Sequence, residues 1–277
     1  MIGSILINGQ QQDRIAVNDR GLAYGQGVFE TLLLTGGRLQ FLDWHLERLL
    51  SGCRRLQMPL NSLEAALRQD LATLVGNGER EGVVKIIVTA GSGGRGYQLP
   101  QPLQPLRIVQ RSALPTWPDA PAEKGIQTRW CQIRLARQPV LAGIKHLNRL
   151  EQVLARAEWQ DPSIREGLLL DSEGCVIEGT MSNLFWVKDR VLHTPALNHC
   201  GVAGIIRRWI LTVAPSLGLE TRVGHYAPEV VGTADELFVC NSLAGLWPIV
   251  QLGQLRFAAG PVTRSLQALL NKEYQLC

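Results

Sequence analysis

The chain has 277 residues, of which 45% are hydrophobic and 19% charged, and its formal net charge is +4. This composition is typical of a soluble globular protein with one large or two medium domains. The basic residues are scattered, and they stand next to each other only at Arg54–Arg55 and Arg207–Arg208, which argues against a nucleic-acid partner. No segment is long and apolar enough to span a membrane, and the first residues do not form a signal peptide, so we expect a cytoplasmic protein.

Apolar periodicity predicts strands and helices in the first part of the chain. In chain order these are strands at residues 4–8 and 29–35, helices at 45–56 and 63–75, and a buried strand at 83–89. Six prolines between residues 100 and 121 surround a short strand at 106–109. We therefore predict a small N-terminal α+β domain at 1–112, a linker at 113–121, and a larger C-terminal α+β domain at 122–277, which carries Lys145.

The predicted C-terminal domain mixes strands and helices without a regular alternation. The predicted elements are a helix from residue 148, several strands between 167 and 194, a helix at 205–214, strands near 236–240 and 247–250, and a last helix at 263–274. The absence of a repeated strand–helix–strand unit favours an α+β fold over a doubly wound sheet.

Lys145 and Glu178 have the placement that a pyridoxal phosphate enzyme requires of its lysine and its acid. Asn148 and Glu151 have the spacing of a helix capping box just after Lys145. The apolar stripe expected behind them consists of Leu150, Val153, Leu154 and Ala157. A nearby helix N-terminus and desolvation would both lower the pKa of Lys145, as a Schiff-base lysine requires. On position alone, an ordinary exposed lysine is the alternative.

Two patterns are candidates for binding a phosphate. Gly201 and Gly204 lead directly into the helix predicted at 205–214, whose first backbone N–H groups can bind an anion. Arg48 lies on a predicted helix and can bind a phosphate with two parallel hydrogen bonds, although a solvated helix face is the alternative.

The glycine-rich segment at 91–96 satisfies the pattern G-x-G-x-x-G but fails as a dinucleotide fingerprint. That fingerprint requires a helix to begin within the motif, and Pro100 and Pro102 prevent one here. The loop instead offers Arg95 as a cation for a carboxylate and Tyr97 as a stacking ring, with a plain surface turn as the alternative.

The cysteines and histidines show no metal-binding pattern. Six cysteines are spread without Cys-x-x-Cys pairs, which predicts free thiols in a reducing compartment. The five histidines are dispersed as well, so we expect no metal site.

Five motifs, in order along nearly the whole chain, resemble the class IV pyridoxal phosphate enzymes. The motifs are Asn-Asp-Arg-Gly at 18–21 with Tyr-Gly-Gln-Gly-Val-Phe-Glu-Thr at 24–31, His-Leu-Glu-Arg-Leu at 45–49, Lys145, Glu-Gly-Thr-Met-Ser-Asn-Leu-Phe at 178–185, and Gly-Val-Ala-Gly-Ile at 201–205. The resemblance implies a two-domain α+β fold like that of D-amino acid aminotransferase, with pyridoxal 5'-phosphate in the cleft. It also implies an obligate homodimer that contributes to each site.

The resemblance also implies roles for individual residues. Lys145 would form the Schiff base, and Glu178 would face the pyridine nitrogen of the cofactor. The further cofactor-binding residues that it implies are Arg48, Asn183, Gly204, Ile205, Ile206 and Ser242.

Within the class, the aminodeoxychorismate lyases fit best. The segments at 145–154, 91–97 and 239–243 are similar to theirs, and Phe29 stands where D-amino acid aminotransferases usually carry a tyrosine. The resemblance implies a lyase of folate biosynthesis that converts 4-amino-4-deoxychorismate to 4-aminobenzoate and pyruvate. The expected substrate-binding residues are Arg95, Tyr97, Asn241 and Phe29.

Lys145 is the expected base of this reaction, and the Thr31 hydroxyl is a candidate, on chemical grounds, for protonating the leaving group. One alternative is an aminotransferase of the same fold that acts on D-amino acids or branched-chain amino acids. A second alternative is a cofactor-binding regulator without catalysis.

Overall fold

The structure, a computed structural model, describes residues 4–76, 78 and 80–276. The expectations about a signal peptide at Met1–Gly3 and a free thiol at Cys277 lie outside these residues. The described chain forms two compact units. One contains the residues up to Pro115 together with Ile144–Asn148, and the other contains Thr116–Gly143 and Arg149–Leu276. Lys145 thus groups with the N-terminal unit, and the predicted domain boundaries stay a prediction.

The N-terminal unit is a six-stranded antiparallel sheet with helices on one face. Its elements are β1 (Ile5–Ile7), β2 (Gln10–Gln11), α1 (Arg20–Tyr24), β3 (Gly27–Thr35), β4 (Arg38–Leu39), α2 (Leu42–Arg55), α3 (Leu63–Val75), β5 (Gly82–Thr89) and β6 (Leu106–Ser112). The strand order is β2-β1-β6-β5-β3-β4. Side chains of β3 alternate, so that Leu32 and Leu34 pack into the core with α2 and α3, while Phe29 and Thr31 lie half-buried on the other face.

The C-terminal unit is built on a mixed sheet of nine strands. Its elements are α4 (Pro121–Lys124), β7 (Ile126–Leu135), α5 (Leu150–Ala157), β8 (Ile164–Asp171), β9 (Val176–Gly179), β10 (Asn183–Lys188), β11 (Val191–Pro195), α6 (Ile205–Val213), a 3-10 turn at Ala214–Leu217, β12 (Glu220–Gly224), α7 (Pro228–Val231), β13 (Glu236–Asn241), β14 (Gly245–Leu252), β15 (Leu255–Arg256) and α8 (Pro261–Leu276). The strand order is β12-β11-β10-β13-β14-β7-β8-β9, and β15 pairs with β14.

One additional pairing closes part of this sheet into a ring. Strand β9 pairs with β10 through Glu178 and Asn183, so that β10, β13, β14, β7, β8 and β9 follow one another around a closed path. The two residues that close the ring are both predicted cofactor contacts.

The predicted α+β class is confirmed, and the helix predicted at 63–75 is observed with the same bounds. The predicted capping box at Asn148 and Glu151 is wrong. Helix α5 begins at Leu150, its N-cap residue is Arg149, and no side chain caps it. Asn148 Nδ2 instead donates to the carbonyl oxygen of Gly25 at 3.0 Å, and Glu151 accepts from the backbone N–H of Ala136 at 2.7 Å. Both side chains therefore serve tertiary contacts.

No helix begins within or just after the glycine-rich segment at 91–96, in agreement with the rejection of the dinucleotide fingerprint. The described cysteines, which end at Cys240, are free thiols. Within the described ranges, no helix combines the length and the apolar character needed to cross a membrane.

Candidate active site

Lys145 lies on an edge of the N-terminal sheet, in a short segment that pairs with the first residues of β3. The N–H of Phe29 donates to the carbonyl oxygen of Lys145 at 2.9 Å, and the N–H of Leu147 donates to that of Gly27 at 2.9 Å. Val28 and His146 stand opposite each other in an antiparallel bridge. The sequence placed Lys145 beside a helix N-terminus, whereas these strand contacts fix its backbone.

The face of the sheet that carries Lys145 also carries Phe29 and Thr31. The Nζ of Lys145 lies 4.4 Å from the centroid of the Phe29 ring, and the Nζ of Lys85 lies 5.4 Å from the same centroid. Thr31 stands opposite Lys85 in the register of β3 and β5. Phe29 and Thr31 therefore lie on one face of the sheet, and the Nζ of Lys145 lies over the Phe29 ring.

Lys85 is a candidate that the sequence reasoning missed. It is half-buried in the middle of β5, and no carboxylate of the described residues pairs with it. A half-buried ammonium without an ion-pair partner is costly unless an anion binds beside it. The available signal was a lysine inside the apolar run Val-Val-Lys-Ile-Ile-Val at 83–88.

Arg48 is oriented by a buried carboxylate on the core face of β3. Its Nε and Nη2 donate to the two oxygens of Glu30 at 2.7 and 2.5 Å. The Arg48 side chain is 12% exposed, so a solvated helix face is not its environment. His45, one helical turn earlier, places its Nδ1 2.6 Å from Glu30.

The charge states within this triad follow from burial and pairing. Burial alone would raise the pKa of Glu30, but Arg48 and His45 outweigh it and lower that pKa to about 2. Burial lowers the pKa of His45, against the opposing effect of Glu30. Glu30 is therefore a carboxylate, and a neutral His45 donates its Nδ1–H to it.

Arg95 and Tyr97 lie on the loop between β5 and β6, and both are exposed. The Tyr97 side chain is 85% exposed, and its ring contacts Tyr24 with centroids 5.4 Å apart. The structure does not join either side chain to Lys145, Phe29 or Thr31. Their assignment to the substrate stays a prediction.

In the C-terminal unit, Glu178 is a buried carboxylate held at the closure of the ring of strands. Its Oε2 accepts the N–H of Val202 at 2.8 Å and lies 3.4 Å from the Nδ2 of Asn183. That Nδ2 also donates to the carbonyl oxygen of Val202 at 2.8 Å. Asn183 thus ties β10 to the segment that leads into α6.

Helix α6 begins at Ile205 with Gly204 at its N-cap and no side-chain cap. A Cβ on Gly204 would lie 1.9 Å from the Oδ1 of Asn183, so only glycine fits there. The first N–H groups of a helix have no acceptor within it, and here those of Ile205 and Ile206 meet no acceptor among the described residues. This helix start can bind an anion.

Strand β13 ends at Asn241, and Ser242 begins the turn that follows; both residues are partly buried. The Oδ1 of Asn241 accepts the N–H groups of Leu243 and Ala244 at 2.9 and 2.7 Å, and its Nδ2 donates to the carbonyl oxygen of Met181 at 3.2 Å. Asn241 therefore joins this turn to the turn between β9 and β10.

Glu166, which the sequence did not indicate as a site residue, holds the turn between β9 and β10 through hydrogen bonds to its carboxylate. Its buried carboxylate accepts the N–H and the hydroxyl of Thr180, at 2.9 and 2.5 Å, and the hydroxyl of Ser182 at 2.7 Å. Burial raises its pKa, although these hydrogen bonds oppose the rise. Glu166 therefore fixes the backbone between Glu178 and Asn183.

Each unit by itself carries donors and acceptors that can bind particular groups of a cofactor. An amine can bind an aldehyde, a buried carboxylate can accept a ring N–H, and an arginine and an open helix start can bind a phosphate. These groups are present at Lys145, at Glu178, at Arg48 and at the start of α6.

Comparison with known proteins identifies the family. The family described as Amino-transferase class IV matches residues 27–252. An aminodeoxychorismate lyase of Vibrio harveyi is 36% identical, with 96% of this chain and 98% of the relative covered. The crystal structure of 4-amino-4-deoxychorismate lyase from Pseudomonas aeruginosa is 45% identical, covers 97% of this chain and 98% of its own, and has a TM-score of 0.92. A branched-chain amino acid aminotransferase of Escherichia coli shares the fold, with a TM-score of 0.87 at 24% identity over 98% of this chain and 94% of its own.

Proposed function

The chain belongs to the class IV aminotransferase family, and from that premise we propose that it is a lyase converting 4-amino-4-deoxychorismate to 4-aminobenzoate and pyruvate. The observation that carries the proposal is the 45% identity to a lyase of known structure over 97% of this chain. The cluster of Lys145, Phe29 and Thr31 on one sheet face supports it, because this reaction needs a base and a proton donor close together.

Pyridoxal 5'-phosphate is the cofactor, and when bound it supplies an electron sink for the charge left by proton removal. Lys145 is proposed to bind its aldehyde carbon through Nζ. Glu178 is proposed to keep the pyridine nitrogen protonated by accepting its N–H. The proposed phosphate contacts are Arg48, Ser242 and the backbone N–H groups of Ile205 and Ile206, with Gly204 giving room and Asn183 orienting the segment.

The Lys145 amine is proposed to remove the C4 proton of the substrate. The bond between C3 and the enolpyruvyl oxygen then breaks, the ring becomes aromatic, and the enol product becomes pyruvate. The Thr31 hydroxyl is proposed to give a proton to the leaving oxygen, and its position on the same sheet face as Phe29 supports this role.

The substrate carries two carboxylates, and two cations of the N-terminal unit are proposed to bind them. Lys85 is favoured by its burial and by the lack of a paired carboxylate among the described residues. Arg95 is favoured by its exposed position on the β5–β6 loop. Phe29, Tyr97 and Asn241 are proposed to contact the ring of the substrate.

A second copy of this chain is the proposed partner. Helix α5 carries an apolar stripe whose side chains are largely exposed: Leu150 at 69%, Val153 at 61% and Leu154 at 50%. An exposed apolar stripe of this kind on a folded protein indicates an interface. A homodimer in the cytoplasm, acting in folate biosynthesis on a small molecule, fits these features and the free thiols.

The test is a spectrum of the purified protein followed by mixing with enzymatically generated aminodeoxychorismate. We expect a visible band from lysine-bound cofactor that borohydride reduces, and release of 4-aminobenzoate. Lys145→Ala should lose both, and near-normal turnover by this variant would exclude the assigned base.

A parallel assay with D- and branched-chain amino acids and keto acids separates the lyase from an aminotransferase. If the protein shows the visible band of the lysine-bound cofactor and transaminates, but releases no 4-aminobenzoate, then it is an aminotransferase and not the lyase. A protein that shows the band and performs neither reaction would be a cofactor-binding regulator.

A further inference from the structure

We propose that Arg20 is a positioning residue that holds the loop at residues 94–98 and thereby sets the affinity for the dicarboxylate substrate. The loop carries Arg95 and Tyr97. The part of the proposal that concerns the substrate rests on the proposed function, whereas the contact between Arg20 and the loop does not.

The Arg20 guanidinium spans the backbone of three consecutive loop residues. Its Nη1 donates to the carbonyl oxygens of Gly96 and Gln98 at 3.2 and 3.3 Å, and its Nη2 donates to that of Tyr97 at 3.2 Å. No other hydrogen bond holds residues 94–98, all of which the structure describes. One side chain therefore supplies the polar contacts that fix the path of the loop.

The Arg20 guanidinium is buried, and its hydrogen bonds to the loop are the main interactions that replace its lost contacts with water. The residue is 3% exposed, and no described carboxylate pairs with it. Its Nε donates to the Oε1 of Gln26 at 2.6 Å, and its guanidinium lies 4.9 Å from the centroid of the Tyr24 ring. A desolvated guanidinium needs acceptors for its N–H groups, so the loop carbonyl groups and Arg20 constrain each other.

Residues 18–20, where the chain enters α1, hold the beginning of the same loop. The N–H of Arg20 donates to the carbonyl oxygen of Gly91 at 2.8 Å, and the N–H of Gly93 donates to that of Asn18 at 3.3 Å. Asp19, fully buried, caps α1 and accepts the hydroxyl of Thr89 at 2.7 Å. The segment at 18–20 is thus fixed to the end of β5 before Arg20 reaches the loop.

The functional consequence follows from the glycine content of the loop. Glycines at 93, 94 and 96 give this backbone a wide range of conformations, and ordering it on substrate binding would cost free energy. Because Arg20 orders the loop in advance, Arg95 can meet a carboxylate without that cost. Arg20 would then affect KM more than the chemical step or the binding of the cofactor.

The experiment compares Arg20→Lys with Arg80→Lys in the cofactor-loaded enzyme. Lysine keeps the charge but lacks the planar fork that spans three carbonyl groups. Arg80 is a matched control, since its Nη2 also donates to a backbone carbonyl oxygen, that of Gly36 at 2.9 Å. The readouts are the rate of trypsin cleavage after Arg95 in the folded protein, KM and kcat for the lyase reaction, and the affinity for pyridoxal phosphate.

We expect Arg20→Lys to raise the cleavage rate and KM by about tenfold each, as the loss of charged hydrogen bonds implies. The kcat, the cofactor affinity and all properties of Arg80→Lys should stay within about twofold of wild type. If Arg20→Lys does not fold, Tyr24→Leu, which removes the ring that contacts both Arg20 and Tyr97, should give smaller changes in the same direction.

Cleavage after Arg95 at the wild-type rate would overturn the proposal. Faster cleavage with an unchanged KM would overturn its substrate part. A wild-type enzyme that makes no 4-aminobenzoate would refute the proposed function instead, while the cleavage rates would still decide whether Arg20 holds the loop.

Discussion

The buried triad of Glu30, His45 and Arg48 gives a quantitative prediction about stability. In Glu30→Gln, the amide presents an NH2 group where Arg48 and His45 need an acceptor, so the guanidinium keeps its charge without its partner. Removing one member of a buried ion pair costs roughly 3–5 kcal/mol of unfolding free energy.

The pKa of Glu30 gives a second estimate of how much its carboxylate stabilises the fold, and it predicts how this stabilisation changes with pH. Arg48 and His45 outweigh burial and lower this pKa from 4.5 to about 2. Because the folded-state pKa is depressed, the carboxylate stabilises the fold fully above pH 4.5, and this contribution is lost as the pH falls through 2. The contribution is about 3 kcal/mol at pH 7 and about 1.5 kcal/mol at pH 3.

The assay is urea unfolding followed by circular dichroism at pH 7, 5 and 3, on cofactor-free wild type and variant, so that ligand binding adds nothing to the difference. Glu81→Gln is the control, since Glu81 accepts from Thr35 and from Gly36 at the surface and should change stability by less than about 1 kcal/mol. A Glu30→Gln effect below about 1 kcal/mol at pH 7, or one that does not shrink at pH 3, would refute the reasoning.

Three further predictions concern the C-terminal unit. Glu178→Gln should keep the absorption band of the lysine-bound cofactor but slow turnover by about 100-fold. An unchanged rate would contradict the proposal that Glu178 keeps the pyridine nitrogen protonated. Gly204→Ala should weaken the binding of pyridoxal phosphate by about tenfold or more, because the new Cβ would lie 1.9 Å from the Oδ1 of Asn183. Equal affinities of variant and wild type in a titration would contradict the proposed phosphate site at the start of α6. Leu154→Asp should shift the proposed homodimer to monomer in analytical ultracentrifugation, and a dimer that persists at wild-type strength would exclude α5 from the interface.

The sequence predicts those parts of the fold that depend on local periodicity. Helix α3 is amphipathic along its whole length, and its bounds agree with the prediction. Strand β7 was missed, because its sequence Ile-Gln-Thr-Arg-Trp-Cys-Gln-Ile-Arg-Leu carries polar and charged residues among the apolar ones and pairs only with strands distant along the chain. The capping box failed for the same reason, since Asn148 and Glu151 bind the distant Gly25 and Ala136.

For the candidate site, sequence motifs predicted the residues that would bind the cofactor directly. They predicted roles for Lys145, Glu178 and Arg48, but no role for Glu30 or Glu166, whose carboxylates orient Arg48 and the turn at 179–182. Glu30 and Glu166 act through positions that only the folded chain brings together, on β3 beside α2 and on β8 beside the turn at 179–182. Glu30 lies within the motif at 24–31, but that motif does not indicate that its carboxylate binds Arg48, and Glu166 lies in none of the five motifs.

The pairing of Lys145 with the edge of β3 has a consequence for the order of folding during synthesis. The strands of the N-terminal unit are synthesised before residues 144–148, so the edge formed by Gly27–Phe29 has open hydrogen-bonding groups until that segment is added. Non-local pairings of this kind form late. The nascent unit therefore acquires Lys145, the proposed Schiff-base lysine, only in its last step, and until then this position holds no amine that could react with free aldehydes.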